Sequence, residues 1–438
     1  MARPAKAEIN LKALLHNYRL AEELSNAGQC LPVVKANAYG HGAVAVATAL
    51  ADVAPALGVA CIEEAIELRQ AGIKLPILLL EGPFSADEIA EAASLNFWLM
   101  LSTSQQVDWV CQNATAAPLT VWLKVDTGMH RLGVTISQAA ECYRRLEACN
   151  HVQGDMVLAS HFASADDLNS SSPKLQLKRL QQLNQPLGAE LSMANSPGLL
   201  GWPDSRLQWN RPGFMLYGNT PFSCSHPQAD LLQPVMSLSS AVIALREVAI
   251  GEAVGYGETW RAERHSIIAT VAIGYGDGYP RHAKNGTPVA INGQRATLVG
   301  RVSMDMITVD VTDIPSVKLG DEVLLWGESI TANEIAQWAD TSAYELLTRM
   351  SLRTPEYINT KVKFLLVKLY KNRSFRTIFL AIFATATFVG SAIWVFDVDP
   401  RLMLNFFLAS LLGLGIIVMA ALAFTGLRML LRKLFGGS

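Results

Sequence analysis

The 438-residue chain lacks a surplus of either charge, because 36 Lys and Arg residues nearly balance 38 Asp and Glu residues. Without a basic surplus there is no overall field to hold a phosphate backbone, so the composition argues against nucleic-acid binding. Charged residues are also scarce, at 17% against about 25% in an ordinary soluble chain. Half of the residues are hydrophobic, which excludes a disordered protein and allows two or three folded domains.

Closely spaced cysteines and an export signal are also missing from the sequence. The six cysteines are scattered, with no C-x-x-C pair and no histidine spacing suited to zinc, so we expect no structural metal site. The N-terminal segment has no apolar core of the signal-peptide type. We therefore expect residues 1–360 to remain in the cytoplasm.

Long apolar runs are absent from the first 376 residues, but two occur near the C-terminus, at 377–396 and 402–427. Both are free of charged residues, and each is long enough to cross a bilayer. A long buried core helix is the alternative, but only residues 397–401 join the two runs, and they leave no soluble segment to cover them. Lysines and arginines flank both runs, so the positive-inside rule puts both ends in the cytoplasm. We predict a basic linker at 359–376 and a transmembrane helical hairpin at 377–438, which would tether the protein to the inner membrane.

Eight short β-like runs alternate with helical patterns in the N-terminal part of the chain. The runs begin near residues 31, 56, 76, 97, 119, 156, 190 and 209, and helical patterns include 62–71, 85–93 and 136–148. This rhythm predicts a (β/α)8 TIM barrel over residues 1–224, although a doubly wound open sheet has a similar rhythm. Reactive or polar groups follow nearly every run, which favours the barrel because it gathers all strand ends around one site.

From residue 225 to 358 the pattern becomes β-rich, without intervening helices, and predicts a second, mostly antiparallel β domain. Asn292-Gly293 is a hairpin signal. One helix is expected over 331–350, opened by a capping box in which Thr331 is followed by Glu334.

Several strand ends carry groups suited to chemistry. Lys35 follows the first run, and an amine half-buried there suits a Schiff base with an aldehyde cofactor. Asn195 and Ser196 suit a phosphate held by amides and hydroxyls. The sequence Asp126-Thr127-Gly128 also occurs in aspartic proteases. Those enzymes need a second copy of this tripeptide in an all-β domain, and the sequence indicates neither. His41, His265 and His282 are expected to be ordinary surface or loop histidines.

Eight motifs follow one another along the chain: VVKANAYGHG, KVDTGMHRLG, SHFA, ANSPG, RPGFMLYG, VGYGETW, IGYGDGYPR and GRVSMDM. Taken in this order, they resemble the motifs of the alanine racemases, which are fold-type III enzymes dependent on pyridoxal 5′-phosphate. The resemblance extends from about residue 7 to residue 355 and weakens over 347–357, a segment that contributes a phosphate contact in the family.

The resemblance implies that the protein racemises L-alanine to D-alanine for peptidoglycan precursors. It makes Lys35 the cofactor-bearing lysine and one catalytic base, and Tyr256 the second base. Racemisation removes the α-proton from one face and returns a proton to the other, which two opposed bases accomplish. In the family Tyr256 and Met304 reach the site from the other subunit, so a homodimer with shared active sites is implied.

The resemblance also assigns the remaining site residues. Arg211 would face the pyridine nitrogen, with His161 as its supporting partner. Lys124 matches a lysine that is often carbamylated in the family, and Arg131 matches its partner near the substrate carboxylate. The phosphate surroundings would comprise Tyr39, Asn195, Ser196, Gly213 and Phe214. The substrate end, entrance and pocket wall would comprise Met129, Met304, Tyr275 and Asp305.

Two other functions fit the same motifs. The chain could racemise serine or several amino acids, although the missing export signal argues against a periplasmic broad-spectrum enzyme. It could also be a membrane-tethered protein that binds the cofactor without turnover. Relatives that bind the cofactor without racemising lack the second domain, so Tyr256 on a complete β domain favours the enzyme.

Overall fold

The chain opens with strand β1 (Lys6–Ile9) and helix α1 (Leu11–Ser25) and then forms a parallel barrel. This is the arrangement in a computed structural model that describes residues 3–113, 115 and 117–358. The barrel strands are β2 (Gln29–Cys30), β3 (Leu57–Val59), β4 (Ile77–Leu79), β5 (Phe97–Leu101), β6 (Val121–Lys124), β7 (Val157–Ala159), β8 (Glu190–Ser192) and β9 (Trp209–Asn210). They pair in parallel from β3 to β9 and on to β2, and a bridge from Val33 to Gly58 closes the ring. The (β/α)8 barrel is thus confirmed and the open sheet is excluded.

Helical segments connect successive barrel strands, and most of them pack on the outside of the barrel. They are α2 (Lys35–Gly40), α3 (Ala43–Leu50), α4 (Ile62–Gln70), α5 (Glu88–Ser94), α6 (Ser104–Gln112), α7 (Ile136–Glu147), α8 (Ser172–Asn184) and α9 (Ser196–Gly201). In α7, Ala139, Cys142, Tyr143 and Leu146 are buried at the three- and four-residue spacing of one helical face. Such amphipathic faces explain why these segments pack as helices against the barrel.

A second, mostly antiparallel sheet follows the barrel. Its strands include β10 (Met236–Val248), β13 (Ser266–Val271), β14 (Pro288–Ile291), β15 (Gln294–Leu298), β16 (Ile307–Asp310), β17 (Glu322–Trp326) and β18 (Glu356–Ile358), while β11 (Ala253–Val254) and β12 (Trp260–Arg261) form a separate ribbon. Strand β1 pairs with β10 and β18, so the first strand of the chain lies in this sheet although residues 1–224 were assigned to the barrel. The chain thus begins in the second sheet before it enters the barrel.

The predicted hairpin is present. Ile291 pairs with Gln294 across a two-residue turn in which Asn292 and Gly293 both have positive φ angles, of 52° and 76°. Positive φ at both central positions defines the type I′ turn, which matches the twist of the flanking strands.

The single helix predicted over 331–350 is wrong, because the structure has two: α10 (Ala332–Trp338) and α11 (Ala343–Thr348). Asp340 adopts a left-handed conformation that ends the first helix, and the Ser342 side chain caps the second by accepting from the Glu345 N–H. The predicted cap at Thr331 is present, since its side chain accepts from the Glu334 N–H.

The predicted membrane hairpin at 377–438 and its linker at 359–376 lie outside the described residues. Within residues 3–358, apart from 114 and 116, none of the helices is long and apolar enough to span a bilayer.

Candidate active site

A cavity of about 690 Å³ lies at the carboxyl ends of the barrel strands. Ten residues proposed from the sequence line it together, although they are spread over almost 180 positions of the chain. They are Lys35, Tyr39, Lys124, Arg131, His161, Asn195, Ser196, Arg211, Gly213 and Phe214. Because each follows or ends a barrel strand or lies in a loop after one, barrel closure brings them to one face.

Lys35 begins a left-handed helical turn. The four residues from Ala36 to Tyr39 all have φ between 51° and 54°, the left-handed region that costs non-glycine residues about 1–2 kcal/mol each. Local contacts hold the turn: the Asn37 side chain accepts from the Ala43 N–H at 2.7 Å, and the Ala36 N–H donates to Glu64 at 2.7 Å. The turn therefore fixes the backbone that follows Lys35.

His41 closes this turn, and the expectation that it is an ordinary surface or loop histidine is wrong. Its side chain is fully buried, its Nδ1 lies 2.9 Å from the Tyr39 carbonyl and 3.1 Å from that of Ala38, and its ring contacts Tyr217. Burial lowers its pKa to about 4, so the ring is neutral at pH 7. A neutral Nδ1–H can donate to these carbonyls, of which that of Ala38 also accepts from the His41 backbone N–H at 3.1 Å.

A polar cradle forms where β8 and β9 end. The Ser196 hydroxyl oxygen accepts from the Gly213 N–H at 3.0 Å and from the Met215 N–H at 3.1 Å, so its own proton is available for a ligand oxygen. A Cβ at Gly213 would lie 2.6 Å from the Tyr39 hydroxyl oxygen. Only glycine fits this close approach, which leaves the tyrosine hydroxyl beside the backbone amides.

Arg211 is buried, and its guanidinium forms hydrogen bonds to three groups. Its guanidinium donates to the Ser192 hydroxyl, to the Ser160 carbonyl at 2.5 Å and to the Met193 carbonyl at 3.4 Å. Burial lowers its pKa to about 10, which still leaves the side chain charged at pH 7. The site therefore holds a fixed cation whose direction is set by backbone carbonyls.

His161 lies in the same cavity and bonds to Asn195, with 3.4 Å between Nε2 and the amide nitrogen. Burial lowers its pKa well below the usual value, and the nearby charges of Arg211, Lys124 and Arg131 lower it further. His161 is therefore neutral at pH 7.

Lys124 ends strand β6 inside the cavity. Burial, followed by the positive charges of Arg211, Arg131 and Lys35, lowers its pKa to about 8. An appreciable fraction of its amine is consequently neutral near physiological pH, and a neutral amine can act as a nucleophile.

Five of the predicted site residues do not line the cavity. Tyr256 is 73% exposed and Met304 is 52% exposed on loops of the second sheet. Tyr275 is also exposed, and its N–H bonds to the Ser303 carbonyl, which places it beside Met304 and Asp305. Met129 lies in the loop after β6, where its N–H donates to Asp126. Within one chain, the structure does not bring these residues to Lys35.

Helix α11 also lines the cavity, and the sequence analysis assigned none of its residues to the site. Its Tyr344 ring stacks on Phe214 with 3.6 Å between the ring centroids, and Ser342, Glu345, Thr348 and Arg349 line the same wall. The four-residue spacing of Tyr344 and Thr348 puts them on one helical face. The spacing alone does not indicate which part of the protein this helical face packs against.

The lining suits a phosphate-bearing cofactor that a lysine can hold. Lysine and arginine side chains outnumber the carboxylates of Glu81 and Glu345, which favours an anion. The free hydroxyl proton of Ser196 and the narrow space at Gly213 suit phosphate oxygens. The predicted residues therefore fit pyridoxal 5′-phosphate.

Comparison with known proteins agrees with this reading of the site. Sequence models of the alanine racemase N-terminal and C-terminal domains match residues 9–221 and 235–358. An alanine racemase of Pseudomonas syringae pv. syringae is 51% identical over 348 residues, which are 80% of this chain and 97% of that protein. A catabolic alanine racemase of Pseudomonas putida is 48% identical over 356 residues, covering 81% and 99%.

Solved structures give the same result. The biosynthetic alanine racemase of Pseudomonas aeruginosa has a TM-score of 0.79 at 45% identity, covering 82% of this chain and 99% of that chain. The enzyme of Bartonella henselae, with covalently bound pyridoxal phosphate, has a TM-score of 0.74 at 32% identity, covering 81% and 99%. The family resemblance and the expected cofactor are thereby confirmed.

Proposed function

Because the chain belongs to the alanine racemase family, we propose that it interconverts L-alanine and D-alanine with pyridoxal 5′-phosphate. The observation that carries this proposal is that Lys35 and Arg211 lie in one cavity with the polar cradle of Ser196 and Gly213. When bound, the cofactor withdraws electrons from the substrate α-carbon and so makes its proton acidic. D-alanine made in this way would supply peptidoglycan precursors.

In this proposal Lys35 holds the cofactor and moves the α-proton on one face, while Tyr256 moves it on the other. Tyr256 is largely exposed and does not line the cavity of its own chain. We infer that Tyr256 and Met304 complete the cavity of a second copy, in a head-to-tail homodimer. Tyr275 and Asp305 lie beside Met304 and would border the same entrance.

Fixed charges would orient the bound molecules. Arg211, held by backbone carbonyls, would face the pyridine nitrogen and keep it unprotonated, with His161 as its supporting partner and Asn195 in the phosphate surroundings. The hydroxyls of Ser196, Tyr39 and Tyr344 would hold the phosphate. Arg131 and Met129 would contact the substrate, and the neutral fraction of Lys124 would react with carbon dioxide to give a carbamate beside Arg131 and release a proton.

Two variants of the purified full-length protein test the two-base mechanism. Lys35→Ala should abolish visible cofactor absorbance and lower racemisation by about 1,000-fold or more, because it removes both cofactor attachment and a base. Tyr256→Phe should lower racemisation by about 100-fold or more but allow Lys35 to exchange the α-proton of one enantiomer with deuterated water. Chiral chromatography and NMR measure interconversion and exchange, with alanine and serine compared as substrates.

Lys174→Ala, on helix α8 outside the cavity, is the matched lysine control and should keep both absorbance and turnover. Racemisation that survives Lys35→Ala would refute the assignment of Lys35. Loss of exchange for both enantiomers in Tyr256→Phe would refute the separation of the bases onto opposite faces. Faster turnover of serine than of alanine would replace the substrate proposed here.

We also propose that residues 377–438 form a transmembrane hairpin that tethers the racemase to the inner membrane, with its catalytic part in the cytoplasm. The support is in the sequence alone: two uncharged apolar runs with lysine and arginine on both flanks. Residues 235–358 complete the family match, so the two runs lie beyond the part shared with the relatives.

A further inference from the structure

Two thiols meet on the outside of the barrel, away from the cavity. The sulfur atoms of Cys111 and Cys149 are 2.9 Å apart, although the residues are 38 positions apart along the chain. Sulfur atoms in a disulfide are about 2.05 Å apart, so a movement of about 0.9 Å would bring these two to bonding distance. Both cysteines are free and only partly buried.

The surrounding contacts keep the two thiols next to each other. Asp108, one turn before Cys111 on helix α6, forms an ion pair with Arg145, one turn before Cys149. The Cys149 thiol also lies 3.1 Å from the Arg145 carbonyl, and His151 bonds to the Val110 carbonyl at 2.6 Å. Contacts on both sides of the pair therefore keep α6 and the end of α7 together.

The pair lies at the end of the barrel opposite the active site. Cys111 is next to the last residue of α6 and Cys149 follows α7, and the helices of a barrel run antiparallel to its strands. The His151 carbonyl accepts from the Leu119 N–H just before strand β6 begins, which places this segment at the amino ends of the strands. The cavity lies at the carboxyl ends, so a change at the thiols leaves its lining residues in place.

We propose that Cys111 and Cys149 are an oxidation site that forms an intrachain disulfide and stabilises the barrel. The bond would close a loop that contains β6 and Lys124, and closing so long a loop removes conformational entropy from the unfolded chain.

Hydrogen peroxide is an oxidant that balances the reaction. Burial, followed by the neighbouring Cys149, raises the pKa of the Cys111 thiol to about 12, so this thiol is protonated at neutral pH. The Cys149 sulfur gives its proton to solvent and attacks one peroxide oxygen, the O–O bond breaks, and the products are a sulfenic acid and water. The Cys111 sulfur then attacks the Cys149 sulfur, the S–O bond breaks, and the leaving hydroxide takes the Cys111 proton as a second water. Two thiols thus lose two electrons to one peroxide.

The test treats the purified full-length protein with hydrogen peroxide, alkylates the remaining thiols and digests without reductant. Mass spectrometry should find a Cys111–Cys149 peptide pair that is lighter than the sum of its two peptides by two hydrogen atoms. The midpoint of thermal unfolding should rise by about 5 °C and return after dithiothreitol treatment.

Cys111→Ser and Cys149→Ser should each remove the linked peptide and the peroxide-dependent shift. The shift is the oxidised minus the reduced midpoint of the same variant, so a lower basal stability does not obscure it. Cys224→Ala, which removes an exposed thiol, should keep both signals. The proposal is overturned if Cys111 and Cys149 stay alkylatable after peroxide, if Cys224 forms the link instead, or if the linked protein unfolds at the unlinked midpoint.

Discussion

At the scale of the residue, His41 connects the strained turn after Lys35 to the core. The left-handed turn costs several kcal/mol over its four residues, and it ends at the carbonyls of Ala38 and Tyr39. His41 reaches both carbonyls, and its ring lies 4.5 Å from that of Tyr217. Tyr217 in turn stacks on Tyr39, with 4.8 Å between the rings, and donates to the Val33 carbonyl. This chain of contacts supports the backbone on either side of Lys35.

We expect His41 to make stability depend on pH. Its pKa is about 4 in the folded protein and about 6.5 in the unfolded chain, so the unfolded state binds more protons between these values. Stability is therefore complete above about pH 6.5 and falls as the pH drops towards 4, by about 3 kcal/mol from this group. Urea unfolding from pH 7.5 to 4.5 should be less pH-dependent in His41→Gln than in the wild type.

His282→Gln is the control, because His282 is exposed and its replacement should leave the wild-type curve unchanged. His161 also titrates below its usual range and contributes to both curves, so the measured quantity is their difference. Parallel curves for wild type and His41→Gln would contradict the prediction.

At the scale of the element, one buried carboxylate joins three separate segments. Asp277 is fully buried and accepts from Arg3 at 2.7 Å, from Arg353 at 3.0 Å and from the Gly274 N–H at 2.9 Å. Burial raises the pKa of this carboxyl, but the bonds from Arg3 and Arg353 outweigh it and hold the pKa below its usual range. Arg353 also bonds to Asp305 at 2.8 Å. The loops that carry Tyr275 and Met304 are therefore tied to both ends of the described chain.

Asp277→Asn should lower the free energy of unfolding by about 2 kcal/mol, because two guanidinium groups would lose a buried anionic partner while the side-chain shape is kept. Urea denaturation measures the change. Asp313→Asn is the matched control: Asp313 pairs with Arg264 on the surface, and exposed ion pairs contribute little. Equal effects of the two substitutions would contradict the role given to Asp277.

At the scale of the whole molecule, the scarcity of charge is shared by both parts of the chain. Residues 1–358 hold 62 of the 74 charged residues, which is about 17% of that part and the same share as in the whole chain. The C-terminal part differs instead in the length of its uncharged runs, at 377–396 and 402–427, which lie beyond the residues that match the family.

Membrane attachment is tested by fractionation. The full-length protein should sediment with membranes and be released by detergent but not by high salt, because apolar burial does not weaken with ionic strength. A chain ending at residue 358 should stay in the supernatant and keep racemase activity. Ala384→Arg with Leu414→Arg, which places a charge in each run at about 3 kcal/mol apiece, should also release the protein. Full-length protein in the supernatant would refute the tether.

The barrel rhythm, the hairpin at Asn292 and the cap at Thr331 could be read from the sequence because each depends on neighbouring residues. Apolar periodicity, two positive φ angles and a side chain three residues from an N–H are local properties. The break at Asp340 was missed because the helical pattern of 331–350 continues through it. Lys35 was proposed as a site residue from its strand end and motif, and barrel closure places it in one cavity with Arg211.

The remainder depends on distant parts of the chain. Local sequence does not indicate contacts between residues that are far apart in the chain. Such contacts include the pairing of β1 with β10, the stacking of Tyr344 on Phe214, the burial of His41 and the approach of Cys111 to Cys149. The sequence by itself determined the elements, the motifs and the family, because periodicity and spacing are encoded over a few residues. Only the tertiary structure decided which side chains meet, since burial and distance arise when all the elements pack together.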